Sequence, residues 1–256
     1  MVKIIDGKNK QVVLAVSHAQ TLKVMTRPLR IIKDEEVFTK EIAMEVGRIC
    51  DCPTVINDTY TDPNRKASFF EFDEKNKEEF YNAIESFKPT LVLDIHGIAE
   101  AGPIFVNPRE EGYLRNFRER TTIGQRPDVD IEFKRKHGMV TCNAKIAVAL
   151  ASILIKLGFS VDFEAVYPGG YVIEKVSGFH TNAIALEINR TVREDPIKRE
   201  LFIKGLSTFI KWYITGEKPE EQELIDIGNY IDSEKMYQEM KNKMMQRRNA
   251  MTSYIG

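Results

Sequence analysis

The sequence predicts a three-layer α/β/α domain built on a mixed sheet. Two predicted strands, 11–17 and 90–97, are built on continuous apolar runs (Leu91 to Leu93 in the second), which are typical of strands buried on both faces. Segments with helical apolar spacing alternate with the predicted strands, and this alternation places helices on both sides of a sheet. A chain of 256 residues is long enough to bury such a core.

The predicted elements follow one another with clear start and stop signals. A helix over 35–50 follows the first strand, with Asp34 as its N-cap and with Gly47 and Pro53 closing it. The later elements are a strand at 54–57, a turn at 59–66, a helix at 74–87, the strand at 90–97, a strand at 104–107 in an otherwise irregular segment (101–136), a helix at 142–157 stopped by Gly158, a strand at 160–165, a strand at 182–188, and a helix at 195–213 with Pro196 in its first turn.

A change of composition after Thr215 predicts the end of the domain. We expect one α/β domain over 1–215 and a C-terminal extension over 216–256, which begins with a charged linker. The extension contains a polar helix over 233–251 with a stripe of methionines and a tyrosine. Such a stripe is more typical of a surface or partner contact than of a site, and a homo-oligomer would form through it.

Composition and charge exclude several classes of protein. The net charge is −1 and the pI is near 6.5, so no basic field favours nucleic acid or an anionic membrane. No apolar run approaches the roughly 20 residues of a spanning helix, and the N-terminus lacks signal-peptide features. The cysteines Cys50, Cys52 and Cys142 fit no thiolate zinc motif, and we expect them to be reduced and buried. We expect a cytoplasmic protein that acts on a small molecule.

Two apolar strands each end in a histidine, although the chain has only four histidines. Ligands bind at the carboxyl ends of strands in open α/β sheets, so His18 and His96 would meet at such an edge. Two imidazoles and one carboxylate are typical of a catalytic zinc site. Asp34, Glu35 or Glu36 would supply the carboxylate, although acids at a helix start also suit the helix dipole without a metal.

The environment of His96 leaves two interpretations open. Asp94 lies two residues earlier on the same strand face and would accept the other N–H of the imidazole, which fixes its tautomer. The alternative is that His96 only caps a loop at the end of its strand.

Glu187 stands at the end of the apolar strand 182–188. A carboxylate in such a place is costly unless it is paired or bound to a cation. It would therefore have the raised basicity of a general base. A buried ion pair with the nearby Arg190 is the alternative.

Other polar residues are weaker candidates. Arg65 and Arg126 would each hold a substrate carboxylate through the guanidinium fork, or be ordinary surface arginines. His180, in a loop that contains glycine, is a candidate substrate contact, whereas His137 lies in a basic run and is expected to be solvated.

Several short motifs follow one another along the chain. The segment from Tyr167 to Ile173 and the strand that reads Leu-Glu-Ile-Asn-Arg over 186–190 resemble the C-terminal signature of the N-formylglutamate amidohydrolase family. The other similar motifs occur in the order of the family and are Val16-Ser-His18, Asp62-Pro-Asn-Arg65, Asp94-Ile-His96 and Arg126-Pro-Asp128. The resemblance covers about residues 11–200.

The resemblance implies a zinc-carboxypeptidase-like fold and amide hydrolysis that depends on one Zn²⁺ ion. It implies that His18 and His96 are metal ligands and that Glu187 is the base that activates water. The third ligand would be an acid shortly after the first histidine, and Glu36 aligns best, with Glu35 next.

The resemblance also implies that Asn64, Arg65 and Arg126 contact the substrate carboxylate and the oxyanion. The first metal loop departs from the family, because Ser17-His-Ala-Gln20 replaces Pro-His-Ser-Gly. We expect this replacement to alter the shape of the first metal loop and of the substrate pocket.

These observations predict a zinc-dependent hydrolase of C–N bonds that cleaves an N-acyl or N-formyl amino acid, or a similar small amide that carries a carboxylate. One alternative is a carboxypeptidase or deacylase of the same fold. The other is a non-catalytic binding protein that retains the fold, in which His18 and His96 are structural.

Overall fold

The computed structural model describes residues 2–19, 22–25, 30–33, 36–58, 74–98, 127–133, 140–163 and 171–217. The predicted turn at 59–66, the predicted strand at 104–107 and the predicted helix at 233–251 lie outside these residues. The same holds for nearly all of the predicted C-terminal extension.

Nine strands and six helices form within the described residues. The strands are β1 (Val2–Ile5), β2 (Val12–Val16), β3 (Leu22–Met25), β4 (Arg30–Lys33), β5 (Thr54–Asn57), β6 (Leu91–Ile98), β7 (Val129–Glu132), β8 (Val161–Phe163) and β9 (Asn182–Asn189). The helices are α1 (Thr39–Cys50), α2 (Glu74–Glu85), α3 (Ala144–Lys156), α4 (Tyr171–Val176), α5 (Arg190–Glu194) and α6 (Pro196–Thr215).

Seven strands form one mixed sheet in the order β1-β5-β2-β6-β9-β7-β8. The four strands from β5 to β9 in this order run parallel to one another, whereas β1 and β7 run antiparallel to the parallel strands that they join. β3 and β4 pair as a separate antiparallel hairpin. The mixed sheet is as predicted, and β6 is buried on both faces, as its apolar run predicted.

Helices cover both faces of the sheet. Residues of α1, α3 and α6 pack with one set of alternate strand residues, which includes Leu14 and Leu93. Residues of α2 and α4 pack with the opposite set, which includes Ala15 and Val92. Because successive side chains of a strand point to opposite faces, these two clusters form the two layers of core in a three-layer α/β/α fold. The fold class is therefore confirmed.

The start of α1 differs from the prediction. The helix begins at Thr39, and its N-cap is Phe38 in the left-handed region (φ 67°), with no side-chain cap, instead of Asp34. Thr39 Oγ1 donates to the Glu36 carbonyl at 2.7 Å, and this turn keeps Glu36 outside the helix. The end also differs, because Gly47 lies inside the helix and Asp51 terminates it.

Strand β7 lies in a segment that the sequence left without regular structure. Its residues alternate between apolar and acidic, as in a strand with one solvated face. The structure buries both faces, since Asp130 is 0% exposed and Glu132 is 1% exposed. The neighbouring strands β9 and β8, which are distant in sequence, enclose β7 from both sides.

The remaining predicted helices match closely. Asp195 accepts hydrogen bonds from the N–H groups of Ile197 and Lys198 at the start of α6, where Pro196 takes the first position. Gly158 follows α3 with a positive φ of 90°. All three cysteines are buried and form no disulfide. Within the described part of the chain, no helix has both the length and the apolar character needed to cross a bilayer.

Candidate metal centre

Three neighbouring parallel strands bring the predicted functional residues to one edge of the sheet. His18 follows β2 by two residues, His96 lies near the end of β6, and Glu187 lies near the end of β9. β6 pairs with β2 on one side and with β9 on the other. The three residues therefore meet at the carboxyl ends of these strands, where open α/β sheets bind ligands.

His18, Glu36 and His96 come together as a set of three ligand atoms. One nitrogen or oxygen from each lies within 4.8 Å of the others, and no other set of this kind occurs in the described ranges. The two imidazole centroids are 5.2 Å apart, and both histidines are buried. Two imidazoles and a carboxylate are the donors of catalytic zinc sites, so the residues present fit a zinc ion.

The two nitrogens of His96 have different neighbours. The Nε2–H donates to Asp94 Oδ2 at 2.7 Å, whereas Nδ1 lies 3.4 Å from Glu36 Oε2. Burial disfavours the imidazolium, but the carboxylates of Asp94 and Glu36 outweigh burial and hold the pKa of His96 well above its ordinary value. Asp94 thus fixes the ring so that Nδ1 faces Glu36.

Glu36 is held by hydrogen bonds to both histidine-bearing segments. The Gly97 N–H donates to Glu36 Oε2 at 3.1 Å, and the Glu36 N–H donates to the His18 carbonyl at 3.4 Å. Thr39 holds the Glu36 carbonyl from the first turn of α1. The side chain and the main chain of Glu36 are therefore both fixed.

A chain of buried amides supports the His18 segment. Asn57, at the end of β5, donates from Nδ2 to the Ser17 carbonyl at 3.0 Å. Asn76 of α2 donates in turn to Asn57 Oδ1 at 3.0 Å. No pattern in the sequence indicates this pair, because its importance depends on the packing of α2 against the strand ends.

Glu187 lies between two polar neighbours on adjacent strands. Its register partner on β6 is His96, and its register partner on β7 is Asp130. Glu187 and Asp130 are both buried. Register partners share a face of the sheet, so Glu187 projects on the same side as His96, within reach of a group bound beside it. Arg190, the predicted alternative partner, donates from Nε to Glu194 Oε1 at 2.7 Å.

Arg193 is a buried charge that sequence analysis missed. It lies in α5, is 3% exposed, and donates to three backbone carbonyls near the site. Burial lowers the pKa of Arg193, and the negative charge of Glu36 opposes this shift. No motif or spacing in the sequence distinguishes it from Arg190 and Arg199 nearby.

The other predicted site residues are not part of this cluster. Asn64, Arg65, Arg126, Asp34, Glu35 and His137 lie outside the described residues. His180 is exposed against Phe179, two residues before the amino end of β9. Five strand residues, roughly 16 Å, separate that end from Glu187. The structure thus places His180 beyond the end of β9 opposite to Glu187, and its contact with substrate stays a prediction.

Solved structures share this architecture. N-formylglutamate amidohydrolase from Ralstonia eutropha JMP134 matches with a TM-score of 0.57 and 12% sequence identity over 83% of this chain and 98% of that chain. The chain has the fold of that protein. The fold implied by the sequence motifs is therefore confirmed.

Two further solved structures are similar to the chain. The gene product Atu2144 from Agrobacterium tumefaciens has a TM-score of 0.52 and 10% identity over 84% of this chain and 95% of that chain. The catalytic domain of CwlV, an N-acetylmuramoyl-L-alanine amidase from Bacillus (Paenibacillus) polymyxa var. colistinus, has a TM-score of 0.49 and 12% identity over 81% of this chain and 99% of that chain. No protein-family model and no curated protein sequence matches the chain.

Proposed function

We propose that this protein is a zinc-dependent amide hydrolase that cleaves an N-formyl or N-acyl amino acid, or a similar small amide that carries a carboxylate. The observation that carries the proposal is the meeting of His18, Glu36 and His96 within 4.8 Å, with Glu187 in register beside His96. The fold shared with N-formylglutamate amidohydrolase and the short motifs similar to that family support the amide class.

The described residues account for the proton transfers of such a reaction. His18, Glu36 and His96 would hold a zinc ion, which would supply Lewis acidity to polarise a carbonyl and to lower the pKa of water to about 7. Glu187 accepts a proton from the attacking water as its oxygen bonds to the amide carbon. Glu187 then gives that proton to the amine nitrogen as the C–N bond breaks.

The residues that recognise the substrate are assigned from the short motifs similar to the amidohydrolase family. Arg65, by preference, stabilises the developing oxyanion or grips the substrate carboxylate, and Asn64 and Arg126 contribute further contacts to it. These three assignments rest on the resemblance to the amidohydrolase family, since the residues lie outside the described part of the chain.

The proposal is tested by metal analysis and a substrate panel on untagged protein. We expect close to stoichiometric zinc, and hydrolysis of N-formyl or N-acyl amino acids that a chelator abolishes and added zinc restores. Glu36→Gln should lose the metal. Glu41→Gln, at an exposed position on α1, should retain it.

Two results would contradict the proposal in different ways. Zinc far below stoichiometric, with no activity after zinc is added, would favour the non-catalytic binding protein. Zinc-dependent cleavage of short peptides alone would favour a carboxypeptidase of the same fold.

A further inference from the structure

The guanidinium of Arg193 joins three segments of backbone at the candidate metal centre. Nε donates to the Ile188 carbonyl at 3.0 Å, Nη2 donates to the Ile98 carbonyl at 3.1 Å, and Nη1 donates to the Val37 carbonyl. Ile98 ends β6 just after His96, Ile188 follows Glu187 in β9, and Val37 follows Glu36. One buried side chain therefore links the segments that carry two ligand residues and the proposed base.

Gly97 makes this contact possible. A Cβ atom at position 97 would lie 2.5 Å from Arg193 Cζ and 2.8 Å from both Nε and Nη2, so any larger residue would displace the guanidinium. The Gly97 N–H also donates to Glu36 Oε2. Gly97 thus supports Glu36 in two ways. Its N–H binds the Glu36 carboxylate directly, and its lack of a side chain makes room for the Arg193 guanidinium.

The turn that carries Glu36 needs such support. Phe38 has a φ of 67°, a conformation that a bulky residue holds only when its surroundings fix it. The Arg199 guanidinium lies 4.1 Å from the centroid of the Phe38 ring and donates to the Arg193 carbonyl. The turn is therefore held by residues of α5 and α6, the two helices that follow β9 in the sequence.

We propose that Arg193 is a positioning residue that sets the metal affinity of the site by holding the turn of Glu36 against His96. The inference rests on the metal centre proposed above. His96 lies in a strand and His18 lies two residues after one, whereas Glu36 comes from a turn. The hydrogen bonds that tie this turn to other segments include those to His18, Gly97 and Arg193. Groups that orient metal ligands typically change metal affinity by about 10–100-fold when they are replaced.

The test measures binding of Co²⁺ and Zn²⁺ to metal-free protein that carries Arg193→Lys or Gly97→Ala. Lysine keeps the positive charge but lacks the planar fork needed to reach three carbonyls. We expect each variant to bind metal about 10–100-fold more weakly and to change the visible absorption of bound Co²⁺. Circular dichroism of the metal-free protein establishes that each variant is folded.

The double variant Gly97→Ala/Arg193→Lys separates positioning from general destabilisation. Because both substitutions break the same contact, the combined loss of affinity should be clearly smaller than the product of the single losses. Arg48→Lys is the control, since Arg48 is exposed on α1 and pairs with Glu45, and it should bind metal as the native protein does. If Arg193→Lys fails to fold, the metal affinity of the Gly97→Ala variant tests the positioning role by itself.

The outcomes distinguish this inference from the proposed function. Native protein that binds neither metal overturns the metal centre and the inference with it. Native protein that binds metal, with folded variants of unchanged affinity and unchanged Co²⁺ spectrum, overturns the positioning role alone. A lower thermal stability with unchanged metal affinity would likewise show that Arg193 is only structural.

Discussion

His96 and Glu187 are register partners on β6 and β9, two parallel strands in the middle of the sheet. Neighbouring strands lie about 4.8 Å apart, and register partners project from the same face. The separation of the proposed ligand from the proposed base is therefore set by the hydrogen-bond ladder of the sheet. These two residues therefore stay aligned without the help of a loop.

Replacing Glu187 tests its role as the base. Glu187→Gln keeps the shape of the side chain but cannot accept the proton, so we expect normal metal content and a kcat lower by about 10²–10⁴-fold. Metal analysis and hydrolysis of the best substrate in the panel give the two measurements. Glu194→Gln, on the exposed side of α5, is the control and should leave both unchanged. Full activity of Glu187→Gln would overturn the assignment.

Asp94 should affect metal affinity because it orients His96. The carboxylate is fully buried and accepts the Nε2–H of His96 at 2.7 Å, so Asp94→Asn removes the charge while it preserves the volume. We expect metal affinity to fall by about 10–100-fold, measured by competition with a chelating dye. Asp6→Asn, at an exposed position after β1, should bind as tightly as the native protein. Equal affinities for the two variants would show that Asp94 does not orient the ligand.

Gly7 should be intolerant of any side chain. A Cβ at this position would lie 2.6 Å from the Asp51 carbonyl oxygen and 2.7 Å from the Pro53 nitrogen, and neither backbone atom can move easily. We expect Gly7→Ala to reduce the free energy of unfolding by about 1–3 kcal/mol or more, measured by urea denaturation. Gly178→Ala is the matched control, since a Cβ added there would have no heavy atom within 4 Å. Equal stabilities of the two variants would contradict this close packing around Gly7.

The buried thiols should make the protein sensitive to alkali. Burial raises the pKa of Cys52 to about 12, with smaller contributions from Cys50 and Asp51. The unfolded thiol titrates near about 8.5, so above that pH the unfolded chain loses a proton that the folded chain keeps. The stability from this group is complete below about pH 8.5 and falls by up to about 1.4 kcal/mol per pH unit until the folded pKa is reached.

Urea denaturation across this alkaline range measures the effect. The Cys52→Ala variant should show a shallower fall in the free energy of unfolding than the native protein, because one titrating thiol is gone. Parallel pH profiles for the two proteins would show that Cys52 ionises equally in both states.

Local sequence signals predicted much of the fold. Continuous apolar runs identified β2 and β6, because strands covered by helices on both faces need apolar side chains on both faces. Helical spacing and capping residues located α3 and α6 to within a few residues, since these signals act over one or two turns.

Other features depend on contacts that no local pattern encodes. The alternation in β7 resembles that of a half-exposed strand, but in the folded chain β7 lies between β9 and β8 and both Asp130 and Glu132 are buried. The start of α1 is delayed because Thr39 bonds back to Glu36. Arg193 stands among other arginines in the sequence, and only the meeting of three backbone segments distinguishes it.

The sequence by itself determined the chemical groups and their local setting, namely a histidine at or after each of two buried strands, an acid near the end of a third, and acids shortly after the first histidine. The tertiary structure decided which groups meet. The order β2-β6-β9 makes neighbours of strands that are distant in sequence, and the register puts His96 beside Glu187. His180 lies before the amino end of β9, whereas Glu187 lies near its carboxyl end. The direction of the strand therefore places these two residues at opposite ends of the sheet.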